Sequence, residues 1–140
     1  MADESRVLEI VQRYFEFAGA DVERAEEIYH DDAVLEFPQS GERFEGVATF
    51  TEWRRQYPAD VAQVRYRLRR VTARVDLAVV ELTVSYDGES WLQGVQLLEF
   101  RGDKVARERI YVTEAWEAPE WRAHWRADTP ADPPEGTSPS

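Results

Sequence analysis

The apolar positions of this chain follow a helical period at first and an alternating period later. Val7, Val11, Tyr14 and Ala18 recur three or four residues apart, so their spacing predicts a helix over residues 5–18. Leu8, Ile10, Phe15 and Phe17 widen the apolar stripe. One side of this helix is therefore expected to lie in a core.

A second short helix is predicted after Asp21, a residue that can cap a first turn. Its expected inner face holds Val22, Ala25, Ile28 and Tyr29. Its acidic side chains are expected to face water or the positive end of the helix dipole: Glu23, Glu26 and Glu27. The chain therefore opens as two helices.

A short strand is predicted over residues 33–37, after an acidic corner at 31–32. Pro38 ends this strand, because proline cannot donate to a sheet ladder. Thr49 and Glu52 have the spacing of a capping box, so a third helix is expected to begin there or nearer Val47. One face of this helix is aromatic and carries Phe50, Trp53 and Tyr57.

From residue 61 to residue 116 the apolar period is two, and turn signals such as Asp87 followed by Gly88 separate the runs. This pattern predicts four long antiparallel strands. The third strand is bulky on both sides, with Val95 and Leu97 on its outer side. An apolar outer face predicts that a second copy of the chain covers it as a homodimer.

The last strand places one acid among apolar side chains. Ala106, Ile110 and Val112 lie on the same side as Glu108, so this carboxyl group points inward if that side faces the helices. Burial raises the pKa of a carboxyl group toward the range that is useful for acid–base catalysis. A buried structural glutamate with a hydrogen-bond or ion-pair partner is the alternative.

Composition narrows the classes of function. A chain of 140 residues forms one domain, expected over residues 1–127, and the proline-rich residues 128–140 are expected to be disordered. A net charge of −11 disfavours nucleic acids and anionic membranes as partners. Cysteine is absent and the two histidines lack metal-ligand spacing, so no metal or cofactor is predicted. Without a signal peptide or membrane span, a cytoplasmic protein is expected.

The stretch YHDDAVLEFPQSGERFEGVATFTEWRRQYP, residues 29–58, resembles the SnoaL-like branch of the nuclear transport factor 2-like superfamily. The resemblance implies an α+β fold, in which three N-terminal helices pack inside a strongly curved, mainly antiparallel, cone-shaped sheet with one deep pocket. Relatives with this fold include isomerases, cyclases, dehydratases, epoxide hydrolases and binding modules. Because the fold does not fix the reaction, function must be argued from the site.

Within this superfamily, the segment DDAVLEFP is similar to a motif of ketosteroid isomerases. Those enzymes carry their proton-abstracting aspartate just before the proline, where this chain has Phe37. A phenyl ring cannot move a proton, so that base is missing. The resemblance places Tyr14 at the position of the family's oxyanion-binding tyrosine and Gln96 at that of its second donor. Because a glutamine amide can donate, Tyr14 and Gln96 can form an oxyanion-binding pair.

Two functions from different classes follow. The first is a cofactor-free enzyme acting on a small hydrophobic or aromatic molecule, with Glu108 as proton-transfer group and Tyr14 and Gln96 as polar orienters. The second is a protein that binds such a molecule without converting it. Either function predicts a pocket lined by Phe37, Gln39, Trp53, Tyr57, Leu98, Ile110 and Val112. Trp53 and Tyr57 can equally be core residues, and Gln39 can bond its own turn.

Overall fold

The computed structural model describes residues 3–18, 21–56 and 64–128. Its helices are α1 (Glu4–Phe17), α2 (Val22–Ala25) and α3 (Val47–Arg55). A 3₁₀ turn (Glu26–Ile28) follows α2, and a 3₁₀ helix (Glu120–Trp125) follows the last strand. The strands are β1 (Tyr29–Phe37), β2 (Glu42–Glu45), β3 (Arg65–Ala73), β4 (Leu77–Ser85), β5 (Leu92–Arg101) and β6 (Lys104–Glu114).

The six strands form one curved sheet in the order β2-β1-β6-β5-β4-β3. Strands β3 to β6 are an antiparallel meander, as the alternating pattern predicts. Strand β1 pairs with β6 in parallel, which makes the sheet mixed. In this register Leu35 of β1 and Leu98 of β5 lie on either side of Glu108. The α+β architecture expected from the resemblance is confirmed.

Helix α1 packs its apolar stripe against the inner face of the sheet. Asp3 caps the helix, and its carboxylate accepts a hydrogen bond of 2.8 Å from the Arg6 amide. Val7 and Val11 are fully buried, and Tyr14 is buried near the end of the helix. Each buried valine contributes about 1.5 kcal/mol or more to stability. Packing thus fixes the rotation of α1 and brings Tyr14 over the sheet.

The second helix is shorter than its pattern predicts. Asp21 caps it as expected, with its carboxylate accepting from the Arg24 amide. The helix then tightens into the 3₁₀ turn, and Tyr29 already has extended backbone and begins β1. The placement of Tyr29 on a helix was therefore wrong. The same tightening turns Glu26 inward, so that it is 7% exposed rather than facing water.

The capping box predicted at Thr49 is not formed. Helix α3 begins at Val47 after Gly46, whose φ of 89° lies in the left-handed region that favours glycine. The Gly46 amide donates a 2.8 Å hydrogen bond to the Ala33 carbonyl, which ties the helix start to β1. Thr49 therefore lies inside the helix.

The segment after β6 carries exposed tryptophans. Trp116, Trp121 and Trp125 are each more than two-thirds exposed. Tyr57 and residues 129–140 lie outside the described residues, so the predicted roles of Tyr57 and the tail remain predictions. Among the helices in the described ranges, none is long and apolar enough to cross a membrane.

Candidate functional site

A cavity of about 680 Å³ lies between the helices and the concave face of the sheet. This volume is in the range of small-molecule sites. Its wall is mainly aromatic and aliphatic, and includes Phe37, Phe44, Trp53, Tyr66, Ile110 and Val112. The Phe44 and Trp53 rings lie 5.4 Å apart, and Phe37 lies 6.0 Å from Trp53. The wall therefore suits a flat or bulky apolar molecule.

Exposed polar side chains form the rim of the cavity. Gln39, Ser40 and Glu42 line it and face solvent. The Gln39 side-chain oxygen accepts a 2.7 Å hydrogen bond from the Val112 amide. Gln39 thus joins the turn after β1 to the end of β6, where the lining residue Val112 is held.

Three buried polar side chains form a second polar region of the cavity wall: Tyr14, Arg54 and Gln96. We call this region the polar floor. Tyr14 is 5% exposed, Gln96 is 7% exposed and the Arg54 side chain is 16% exposed. Within the described ranges, Gln96 Oε1 has no hydrogen-bond partner. A buried acceptor without a partner costs free energy, so this oxygen can accept a hydrogen bond from a donor group of a ligand.

Glu108 lies behind the polar floor. It is fully buried, as the alternation of β6 predicts, and the Tyr29 hydroxyl donates a hydrogen bond to Glu108 Oε1. Glu108 Oε2 has no partner in the part of the chain that is described. Burial raises the pKa of Glu108, although the Arg54 charge and the Tyr29 hydrogen bond oppose the rise. Its environment favours the protonated form.

Tyr29 links Glu108 to the cavity. The Tyr14 and Tyr29 rings meet edge to face, with centroids 6.1 Å apart, so the two phenol side chains pack against each other. Burial raises the pKa of Tyr14 to about 12, a rise that the Arg54 charge partly opposes. Burial and the nearby Glu108 also raise the pKa of Tyr29. Both phenols are therefore neutral donors at ordinary pH.

Arg54 pairs with a different acid. Its Nη1 donates to Glu26 Oε1 at 2.5 Å. Its guanidinium also lies 5.6 Å from the centroids of the Phe50 and Trp53 rings. Burial raises the pKa of Glu26, and the Arg54 charge opposes this. Burial by itself would lower the pKa of Arg54. The nearby acidic groups raise this pKa by more, so Arg54 stays charged; they are Tyr14, Tyr29, Glu26 and Glu108.

The predicted site residues divide into two sets. Those that line the cavity are Tyr14, Phe37, Gln39, Trp53, Gln96, Ile110 and Val112. Glu108 and Leu98 face the interior as expected, but they are not among the lining residues. They oppose each other farther along β5 and β6, where Tyr29 and Phe50 fill the space. Side-chain alternation predicts which face of the sheet a residue occupies, but it does not predict whether that part of the strand borders the cavity.

Sequence reasoning missed Tyr29, Arg54 and Glu26 as members of the site. The acidic corner predicted at residues 31–32 is wrong, because both residues lie inside β1. A strand start at Tyr29 would have placed this residue on the inner face, within reach of Glu108. For Arg54 no local signal exists, because the neighbouring Arg55 has the same chemistry and is exposed. Only the orientation of α3 distinguishes the two arginines.

Solved structures share this architecture. A nuclear transport factor 2-like protein of unknown function from Burkholderia xenovorans is 30% identical, with a TM-score of 0.80 over 91% of this chain and 98% of the other. A proposed ketosteroid isomerase from Kribbella flavida is 27% identical, with a TM-score of 0.80 over 94% and 95%. A proposed SnoaL-like polyketide cyclase from Jannaschia is 18% identical, with a TM-score of 0.68 over 78% and 86%.

The family assignment rests on the sequence as well as on the fold. No curated protein matches the chain. The model of the SnoaL-like domain matches residues 11–108, which run from α1 to the buried glutamate of β6 and include Tyr14, Tyr29, Arg54 and Gln96. The matched region covers most of the cavity and more than half of the chain. The protein therefore belongs to the SnoaL-like domain family.

Proposed function

We propose that this protein binds a small, largely apolar or aromatic molecule in the cavity and performs cofactor-independent acid–base chemistry on it. One observation carries the proposal. Tyr14 lines the cavity and packs edge to face against Tyr29, whose hydroxyl is hydrogen bonded to the enclosed carboxyl group of Glu108. This series connects a buried acid to the ligand without exposing the acid to solvent.

The series can deliver a proton to a ligand oxygen. When a proton leaves the carbon next to a ketone, negative charge develops on the carbonyl oxygen. This transfer requires the Tyr29 hydroxyl to turn from Glu108 toward Tyr14, so that protonated Glu108 donates to Tyr29. Tyr14 can then protonate the ligand oxygen and take a proton from Tyr29, and Glu108 can reprotonate Tyr29. Glu108 then carries the negative charge near Arg54, and the carbon-bound proton passes to water. The Gln96 amide can donate to the same oxygen.

The alternative function is binding without conversion. Phe37 occupies the place where related isomerases have their base, and Glu108 is separated from the cavity by Tyr29. Both observations favour a protein that holds a ligand and leaves it unchanged. The two functions differ in whether Glu108 affects a bound ketone.

Acetonaphthone distinguishes the two functions, because it is an apolar aromatic ketone with exchangeable methyl protons. Calorimetry measures its binding, and mass spectrometry measures deuterium uptake into the methyl group in heavy water. An acid–base enzyme should accelerate uptake by about a hundredfold or more over buffer. Glu108→Gln and Tyr29→Phe should lose most of that acceleration while binding stays within about threefold.

The matched control is Glu114→Gln, which changes an exposed acid on the same strand and should leave both readouts unchanged. Binding without accelerated uptake supports the non-catalytic alternative. Absence of binding, together with no co-purified small molecule in native mass spectrometry, would contradict both functions.

We also propose that the protein is a homodimer through the outer face of the sheet. Val79, Val95 and Leu97 are only half buried on that face, and Tyr111 is 39% exposed. Covering this apolar surface with a second copy would remove it from water. Sedimentation at micromolar concentration should give a mass near twice 16.3 kDa. A monomer would refute the dimer.

A further inference from the structure

We infer that the ligand of this cavity carries a carboxylate or an equivalent anionic oxygen group, and that Arg54 selects it. The inference rests on the proposed function, because it specifies the ligand class of the same cavity. The ligand would be a small aromatic or aliphatic acid, with its apolar part against the aromatic wall and its anionic group on the polar floor.

Arg54 keeps hydrogen-bonding capacity for such a group. Its guanidinium has five N–H donors, and among the described residues its hydrogen bond goes from Nη1 to Glu26. The remaining donors belong to a side chain that lines the cavity. The flanking Phe50 and Trp53 rings hold the guanidinium in place, and among the described residues Glu26 pairs with its charge through Nη1. A planar fork of this kind suits a carboxylate.

The rest of the polar floor adds donors rather than acidic groups. The Tyr14 hydroxyl is a neutral donor, and the Gln96 amide lies on the inner face of β5. Among the described residues that line the cavity, the carboxylate is Glu42, which lies at the exposed rim and accepts a 2.7 Å hydrogen bond from Ser40. A buried anion would therefore meet the Arg54 guanidinium, which is already paired with Glu26 through Nη1, and two neutral donors, the Tyr14 hydroxyl and the Gln96 amide nitrogen.

The net charge of the whole molecule disfavours the binding of an anionic ligand. The net charge of −11 repels anions at long range. Salt screens such repulsion beyond about 8 Å at physiological ionic strength, whereas a buried contact is screened much less. A preference for an anionic ligand would therefore have to come from the cavity itself.

Three probes of nearly equal shape test the inference on the unmodified protein: naphthylacetate, naphthylacetamide and naphthylmethylammonium. Calorimetry at pH 7 should show naphthylacetate binding at least about tenfold more tightly than the amide, because a hydrogen bond to a charged group is stronger than a neutral one. The ammonium probe should bind most weakly. Equal affinities, or preference for the ammonium probe, would overturn the inference.

The variant Arg54→Gln tests whether Arg54 causes the preference for naphthylacetate over the amide. This variant should lose the tenfold advantage of naphthylacetate while keeping its affinity for the amide. Arg55→Gln, next to it on α3 and 58% exposed, is the matched control and should keep the advantage. If Arg54→Gln fails to fold, Arg54→Lys should retain a reduced preference, because lysine keeps the charge but lacks the planar fork.

The outcomes separate this inference from the proposed function. Binding of the amide without preference for the acid leaves the proposed cavity function intact and rejects selection by Arg54. Retention of the preference in Arg54→Gln also rejects it. Failure of all three probes and of acetonaphthone to bind would reject the proposed function.

Discussion

The two acids buried around the cavity are held in opposite ways. Glu26 lies beside Arg54 and forms an ion pair with it, whereas Glu108 has a phenol as its hydrogen-bond donor. Burial raises both pKa values, and the Arg54 charge opposes the rise in both. Glu26 also accepts a hydrogen bond from that cation, while Glu108 accepts one from neutral Tyr29.

This difference shows how one polar cluster can contain a fixed charge and a titratable group. The ion pair with Arg54 favours the charged form of Glu26, against the effect of burial, and fixes Arg54 beside the cavity. A carboxyl group held by a neutral donor can gain or lose a proton at smaller electrostatic cost. Glu108 is therefore the group expected to change protonation state during function.

The largest expected effect comes from breaking the ion pair. Arg54→Met leaves Glu26 without its cation, and we expect the free energy of unfolding to fall by about 3–5 kcal/mol at pH 7. Urea denaturation measures this change. Arg55→Met, which removes an exposed arginine from the same helix, should have little effect. A double variant, Arg54→Met with Glu26→Leu, should be more stable than Arg54→Met alone.

Removing the neutral donor should have a smaller effect. Tyr29→Phe leaves Glu108 Oε1 without its hydrogen bond, and we expect a loss of about 1–3 kcal/mol in urea denaturation. The pKa of Glu108, followed by carbon-13 NMR, should rise, because the hydrogen bond that favours the carboxylate is gone. Glu114→Gln, which changes an exposed group on β6, is the control. An unchanged titration in Tyr29→Phe would contradict the link between the two groups.

The smallest expected effect is a change in how the stability of the protein depends on pH when Glu108 is replaced by glutamine. The folded-state pKa of Glu108 is raised. The contribution of Glu108 to the free energy of unfolding is therefore complete below its unfolded-state pKa, about 4.3. This contribution is lost as the pH rises through the folded-state pKa. Glutamine does not titrate. The stability of Glu108→Gln relative to the unmodified protein should therefore increase with pH, by about 1.4 kcal/mol for every pH unit that separates the folded-state pKa from the unfolded one.

Urea denaturation of both proteins at several values between pH 4 and pH 8 measures this difference. Glu114→Gln, at the exposed end of the same strand, should show no such trend. A constant difference between Glu108→Gln and the unmodified protein would mean that Glu108 has an ordinary pKa. That result would remove it from the proposed proton transfer.

Much of the fold could be predicted because its signals are local. The helical spacing of Val7, Val11 and Tyr14 predicts α1, and the period of two predicts the four-stranded meander. The same alternation turns Glu108 inward. Strand and helix boundaries were less predictable, since Tyr29 fits the inner face of either element and a capping box at Thr49 competes with the turn at Gly46.

The sequence by itself determined which side chains face the interior, because side-chain direction follows from the period of each element. Tertiary structure decided which of them meet. The parallel pairing of β1 with β6 brings Tyr29 to Glu108, a contact between residues 79 positions apart. Packing of α3 directs Arg54 rather than Arg55 to the cavity. No local pattern encodes these contacts, because they depend on how separate elements dock around a shared core.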